Sequence, residues 1–266
     1  MSDAPYNEAL KGNNLTTPKW DDGKTIFEGV LKEVEDAEAN IGTSRITMKD
    51  PMFGGNVAKW KGFANALRLR IYLRMIDAGI DVDSYTEKVK ALVAENKFFE
   101  GDVKFDVFTD AEGQYNPWYG SIFRLKALNY VAAYPIVSYY RSTNDPRIAY
   151  GILPNTKKDA YVGQIPGAKT RMKEWMGEAW KNADVSAINY TVMTAEPIYI
   201  LTQSELQFLI AEVQLRFNNN AGAAAIAYEN AVKADFASRR MADKAGDFLT
   251  GALVNINTLG TNEEKL

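Results

Sequence analysis

Apolar residues recur in this chain at spacings of three and four, the pattern that lines one face of a helix, and no other feature constrains the fold as strongly. Ile26, Val30, Val34, Ala37 and Ile41 form one such stripe. Thr25 and Glu28 stand at its start with capping-box spacing, which lets each side chain satisfy a free backbone N–H. Asn56 is placed to cap a second stripe of Val57, Trp60, Ala64, Leu67, Ile71 and Met75, whose other face carries Lys61, Arg68 and Arg74. Trp60 is assigned to the core. Ser84 with Glu87 opens a third helix that runs to about Asn96. Near the C-terminus, Thr202 and Glu205 repeat the capping box before Leu206, Ile210, Val213 and Phe217, a stripe that ends ahead of Asn218-Asn219-Asn220. An alanine-rich helix follows from Gly222 to about Arg239. Two such helices joined by a short polar turn fold back as an antiparallel hairpin. The small residues Ala211, Ala224 and Ala231 give it a seam like that of one tetratricopeptide unit, with no clear second copy.

The middle of the chain reads differently. Val103, Phe105 and Val107 alternate as in a short extended piece, and Gly113 leads into Tyr115-Asn116-Pro117-Trp118-Tyr119-Gly120, an aromatic-rich loop. Residues 122–141 look helical, with Pro135 breaking or kinking the helix near Tyr134. From about 142 to 197 the chain is loop-rich, punctuated by Asn144-Asp145-Pro146, Leu153-Pro154-Asn155 and Ile165-Pro166-Gly167. A connection this long inside a compact chain is usually functional or holds hidden structure. The tail after Asp243 reads as frayed. The expected fold is therefore mainly α, built from tetratricopeptide-like helical hairpins with long loop insertions, in one domain over residues 1–266.

Two absences narrow the chemistry. The chain has no histidine and no cysteine. It thus lacks the side chain most used for general-base work near neutral pH, and every disulfide, thiol nucleophile and thiolate metal site. A formal net charge of −3 provides no field to gather nucleic acid. Gly54-Gly55 is followed by Asn-Val-Ala rather than Gly-Lys-Ser/Thr, so no phosphate loop is present. No catalytic residue, metal or cofactor is expected. Met-Ser-Asp-Ala-Pro-Tyr is no signal peptide, and no apolar run nears the roughly 18 residues of a membrane span. The chain as given is expected to be soluble.

Sugars present apolar C–H faces that stack on flat rings, and hydroxyls that need fixed donors and acceptors. Tyr115, Asn116, Trp118 and Tyr119 suit that chemistry: the rings are platforms, Asn116 both donates and accepts, and Pro117 holds the shape. Trp175 and Trp180 are further candidates; five residues apart, they share a platform only if the chain bends between them. Against these stands the plainer reading that loop aromatics anchor loops. Asp102, Asp106 and Asp110 fall on one side of the extended segment, a spacing that admits paired carboxylates or oxygen ligands for calcium. Solvated acids on an edge explain them equally well, and hydrolysis is the least favoured reading. Arg68, Arg70 and Arg74 are expected to pair within the helical core, and Asp145 with Arg147 to fix a turn.

Five stretches, in order, resemble one family. They are Ser2-Asp3-Ala4-Pro5-Tyr6-Asn7-Glu8-Ala9-Leu10; Trp60-Lys61-Gly62-Phe63-Ala64-Asn65-Ala66-Leu67-Arg68-Leu69-Arg70; Asn144-Asp145-Pro146-Arg147; Tyr161-Val162-Gly163-Gln164-Ile165-Pro166-Gly167; and Leu201-Thr202-Gln203-Ser204-Glu205-Leu206-Gln207-Phe208-Leu209-Ile210-Ala211-Glu212. They resemble the SusD/RagB group of outer-membrane lipoproteins. The resemblance implies a SusD-like helical fold on tetratricopeptide hairpins, with loop insertions forming a surface glycan site. It also implies a place as lid over a TonB-dependent SusC-like transporter, and no enzymatic activity. Family members begin with a signal peptide and a lipidated cysteine and continue with further C-terminal helices. By that resemblance the chain is an internal fragment, and its membrane contact runs through a lipid anchor it does not itself carry. The expected partners are an oligosaccharide or related nutrient and the transporter, at the outer membrane and cell surface. The alternative is a protein-interaction scaffold whose aromatics are structural.

Overall fold

The structure is a computed structural model and describes residues 3–121, 130–155, 160–167, 169–181 and 184–266. It is mainly helical. In chain order the elements are α1 (Gly23–Asn40), α2 (Val57–Asp77), α3 (Val82–Glu95), β1 (Val103–Phe105), α4 (Pro117–Tyr119), α5 (Tyr134–Ser142), α6 (Ile148–Gly151), α7 (Lys169–Met176), β2 (Ile198–Leu201), α8 (Gln203–Arg216), α9 (Ala221–Ser238), α10 (Ala245–Leu249) and α11 (Asn262–Lys265). β1 pairs with β2. The chain forms two compact units, one of residues 1–103 and 201–228, the other of residues 104–200 and 229–265.

In the first unit, α2 packs against α1, α3 and α8. Ala66, Leu69, Leu73 and Met75 of α2 are buried with Val89 and Val93 of α3 and Leu206 and Val213 of α8. Gly62 is where α2 meets the chain at closest range: a Cβ there would lie 2.5 Å from the Phe99 nitrogen. Asn65 donates to the Lys97 carbonyl at 2.8 Å, Arg68 pairs with Glu38, and Arg70 pairs with Glu205 at 2.7 Å. Arg74 pairs with Asp77 at 3.6 Å. Arg68 and Arg70 thus pair between elements as expected, whereas Arg74 meets Asp77 on the surface of its own helix, with its side chain 64% exposed. Trp60 is only half-buried, a departure from its assignment to the core. Its indole N–H needs an acceptor and donates to Asp50 at 2.9 Å, and its ring meets Phe53 edge-on at 4.9 Å. At the N-terminus, Asp21 accepts from the Tyr6 and Asn7 backbone N–H groups, and Gly29 leaves room for the Tyr6 ring on α1.

Asn56 and Thr202 cap α2 and α8 as expected. Two other starts differ. Asp22, not Thr25, caps α1: its carboxylate accepts from the Thr25 N–H at 2.9 Å and the Thr25 hydroxyl at 2.7 Å. A full charge competes better for those donors than a hydroxyl, so the helix begins three residues early. α3 begins after Asp81, which turns at φ 40° with no side-chain cap, so Ser84 lies inside the helix. α8 and α9 form a helical hairpin across Phe217–Asn220, with the Phe208 and Tyr228 rings 5.8 Å apart. Pro135 opens α5 rather than breaking it, because its fixed φ and missing N–H suit a first turn. The part of the expected 122–141 helix at residues 122–129 lies outside the described residues.

The second unit holds the loop-rich stretch. Its centre is Ser186, fully buried. The Ser186 N–H donates to the Val162 carbonyl at 2.8 Å, its Oγ accepts from the Val162 N–H at 3.0 Å, and its carbonyl accepts from the Ala132 N–H at 2.7 Å. Isolated bridges join Val131 to Ala187, Ala133 to Gln164 and Ile152 to Ile188. Strand-like pairing without strands thus satisfies backbone that would otherwise be stranded away from water. Sequence periodicity cannot reveal it, because each contact is one or two residues long.

Candidate functional site

The sequence candidates fall in three places within the second unit. In the first, α4 is a single turn capped by Asn116. The Asn116 Oδ1 accepts from the Trp118 N–H at 2.8 Å, its Nδ2 donates to the Glu196 carbonyl at 2.6 Å, and its own N–H donates to the Thr194 carbonyl at 2.8 Å. With 5% of its surface exposed, Asn116 holds the turn. Trp118 is 58% exposed and meets Tyr130 edge to face at 6.0 Å. Tyr115 and Tyr119 pair with each other, ring centres 5.0 Å apart.

The second place surrounds Trp175. Met172, buried completely, plugs α7 into the unit, and its sulfur accepts from the Ile165 N–H at 3.3 Å. Three residues on, Trp175 remains 51% exposed, with its ring perpendicular to Tyr134 at 5.6 Å. These two rings line a cleft of 460 Å³ with Val137, Ser138, Arg141, Ser142, Tyr161, Val162 and Gly163. A Cβ at Gly163 would lie 2.4 Å from the Tyr134 Cα, so only glycine allows the Tyr161–Gly163 segment this close to α5. The third place is a cleft of 580 Å³ at Trp180, lined also by Asn155, Ala160, Val162, Met176, Ala179, Lys181 and Asp184. The two indoles of the 175–180 stretch therefore occupy separate clefts that have Val162 in common.

An ion-pair network stands behind the first place. Asp145 is buried and accepts from the Arg147 N–H and Nε, each at 2.9 Å; Arg147 also pairs with Asp235. The Arg147 guanidinium lies 4.7 Å from the Phe236 ring centre and 5.1 Å from that of Phe248. Asp235 also accepts from Arg239, whose guanidinium lies over Tyr150. Burial disfavours both charged guanidiniums, but the carboxylates outweigh it and hold their pKa values up. Asp235 is likewise disfavoured by burial and, on balance, drawn below the usual range by its two arginines. The Tyr150 hydroxyl donates to Glu196 at 2.8 Å, and burial first, then that carboxylate, raises its pKa. Glu196 is the residue whose carbonyl takes Asn116, so the network reaches the Trp118 turn through bonded neighbours.

The acidic candidates do not converge. Asp102 accepts from the Gln203 N–H at 2.8 Å, and Asp106 pairs with Lys104 at 2.8 Å. Among the described residues no group of three or more carboxylates is placed to hold a metal ion. Sequence reasoning missed Tyr130, Tyr134, Ser138, Arg141 and Tyr161 as cleft or platform residues. A signal was present for the last: Tyr161 lies two residues from Gly163, in a motif whose glycine serves close packing.

No described helix is long and apolar enough to cross a membrane. Among curated proteins none matches the sequence. Solved structures do. An outer-membrane protein of Bacteroides vulgatus associated with nutrient binding superposes with a TM-score of 0.80 at 22% identity, over 99% of this chain and 63% of its own. A SusD homologue from Bacteroides fragilis gives 0.75 at 21% identity, over 99% and 61%. A chitin-binding protein gives 0.71 at 21% identity, over 94% and 56%. The chain thus spans less than two thirds of the length of these structures, and at such identity the likeness is one of fold. The sequence itself matches, over residues 2–266, a family described as starch-binding and associating with the outer membrane, and on that match the chain belongs to the SusD-like family.

Proposed function

We propose that the chain is a non-catalytic binding module that captures a glycan or glycan-derived nutrient at the cell surface and passes it to a TonB-dependent SusC-like transporter. The observation that carries this reading is that two indoles of the second unit stand in water while each rests against a tyrosine ring. Trp118 is 58% and Trp175 51% exposed, although each meets a tyrosine ring edge to face. Burying such rings would stabilise the fold by a few kcal/mol, about 25 cal/mol per Å² of apolar surface. Ordered rings held open to solvent suit stacking on sugar faces better than packing. Tyr115, Tyr119 and Trp180 extend the ring surface, and Asn116 positions Trp118. The family description and the chitin-binding and nutrient-binding relatives support the ligand class and the outer-membrane setting.

The test is intrinsic fluorescence titrated with plant and host oligosaccharides. Saturable quenching without release of new reducing ends is expected, with affinity reduced at least about tenfold by Trp118→Ala or Trp175→Ala, the loss of roughly 1–3 kcal/mol of stacking. A folded protein that responds to no oligosaccharide would overturn the reading in favour of a scaffold.

A further inference from the structure

We infer that the Trp175 cleft selects an anionic saccharide, with Arg141 as the group that reads the charge; this rests on the binding role proposed above. Arg141 is the one charged side chain among the described residues lining the cleft. Its guanidinium makes no hydrogen bond or ion pair among the described residues. Arg68, Arg70, Arg147, Arg216 and Arg239, by contrast, each hold a carboxylate; Arg171 and Arg240, which also hold none among the described residues, line neither tryptophan cleft. A cation in the last turn of α5 also complements the helix dipole. That explains a positive residue at position 141 but not its place on a cleft lined by the rings of Tyr134, Tyr161 and Trp175.

The chemistry of the walls supplies the rest. A pyranose stacked on Trp175 or Tyr134 brings its ring substituents toward the neighbouring polar groups. The hydroxyls of Tyr134, Ser138 and Tyr161 have no partner among the described residues and are free to donate to sugar oxygens. A neutral sugar would displace water from the guanidinium and return nothing of equal strength. A carboxylate or sulfate on the sugar accepts from its fork of N–H groups through charge-assisted, bidentate bonds. The lining contains no carboxylate to repel it.

The experiment is calorimetric titration of the whole chain with a galacturonate oligosaccharide, its methyl ester, and a sulfated galactan oligosaccharide of similar length. The acid is expected to bind about tenfold tighter than its ester, as for a hydrogen bond to a charged group. Arg141→Ala should remove that preference, and Arg141→Lys should restore part of it. Tight binding of the sulfated sugar as well would assign recognition to charge in general; its failure beside a bound uronate would assign it to the carboxylate. Equal affinity for acid and ester, or a preference that survives Arg141→Ala, overturns the inference while the binding role stands. Failure of every sugar, neutral ones included, removes both.

Discussion

At the scale of single residues, Asp235 is the carboxylate on which most depends. It lies between Arg147 and Arg239, and its loss leaves two half-buried guanidiniums short of a partner, Arg147 retaining Asp145 alone. Breaking one member of such a set costs about 3 kcal/mol, because the charges left behind stay desolvated. Asp235→Asn should lower stability to urea by that amount at pH 7. The pH dependence has a definite sign. A carboxylate held below its ordinary value stabilises the fold above the unfolded pKa of about 4, and this is lost as pH falls through the lower folded value. The gap between wild type and variant should therefore be widest near neutrality and close progressively below about pH 4. A gap that is constant from pH 7 to pH 3 would show that Asp235 acts through shape rather than charge.

At the scale of elements, α2 sets the limits of the first unit through Gly62. Alanine is the better helix former by about 1 kcal/mol, so propensity alone predicts that Gly62→Ala stabilises. The added methyl would sit 2.5 Å from the Phe99 nitrogen and 2.6 Å from the Phe98 carbonyl carbon, and backbone cannot swing aside as a side chain can. Overpacking of that kind costs about 1–3 kcal/mol, more where backbone must yield, so a net loss of up to about 2 kcal/mol is expected, read by chemical denaturation. A rise in stability would mean that the Phe98–Phe99 segment relaxes freely. The same comparison explains what the sequence disclosed about elements. Apolar stripes located α1, α2 and α8, because a long buried face must repeat at the helical period, while a cap signal marked α3 and alanine-rich composition marked α9. Starts were less legible: Asp22 and Thr25 both have cap chemistry, and only the competition for one N–H decides between them. The short α6 and α7 and the bridges around Ser186 left no periodic trace.

At the scale of the whole molecule, the residues that carry the family resemblance and the residues that line the candidate site are largely different sets. Asn65, Arg68, Arg70, Asp145, Arg147 and Glu205 of the motifs form cross-links between elements. Trp118, Trp175, Trp180 and Arg141 lie outside the motifs, in stretches where composition drew attention to the aromatics but could not say which of them meet. Trp175 required Tyr134, distant in sequence, to become half of a cleft, and the unpaired state of Arg141 is visible only once its neighbours are placed. This separation makes a prediction about the protein as a unit. Gly62 belongs to the residues 1–103 and 201–228, and both tryptophan clefts belong to the other compact unit. Gly62→Ala should lower the denaturation midpoint yet leave oligosaccharide affinity at 25 °C within about twofold, since a loss of up to about 2 kcal/mol still leaves a folded majority. Trp175→Ala should do the reverse, lowering affinity while moving the midpoint little, because half of its surface is already in water. Midpoints and dissociation constants measured on both variants decide the matter. If both quantities moved together in both proteins, scaffold and site would be one cooperative structure, and the binding face could not vary independently of the helices that carry it.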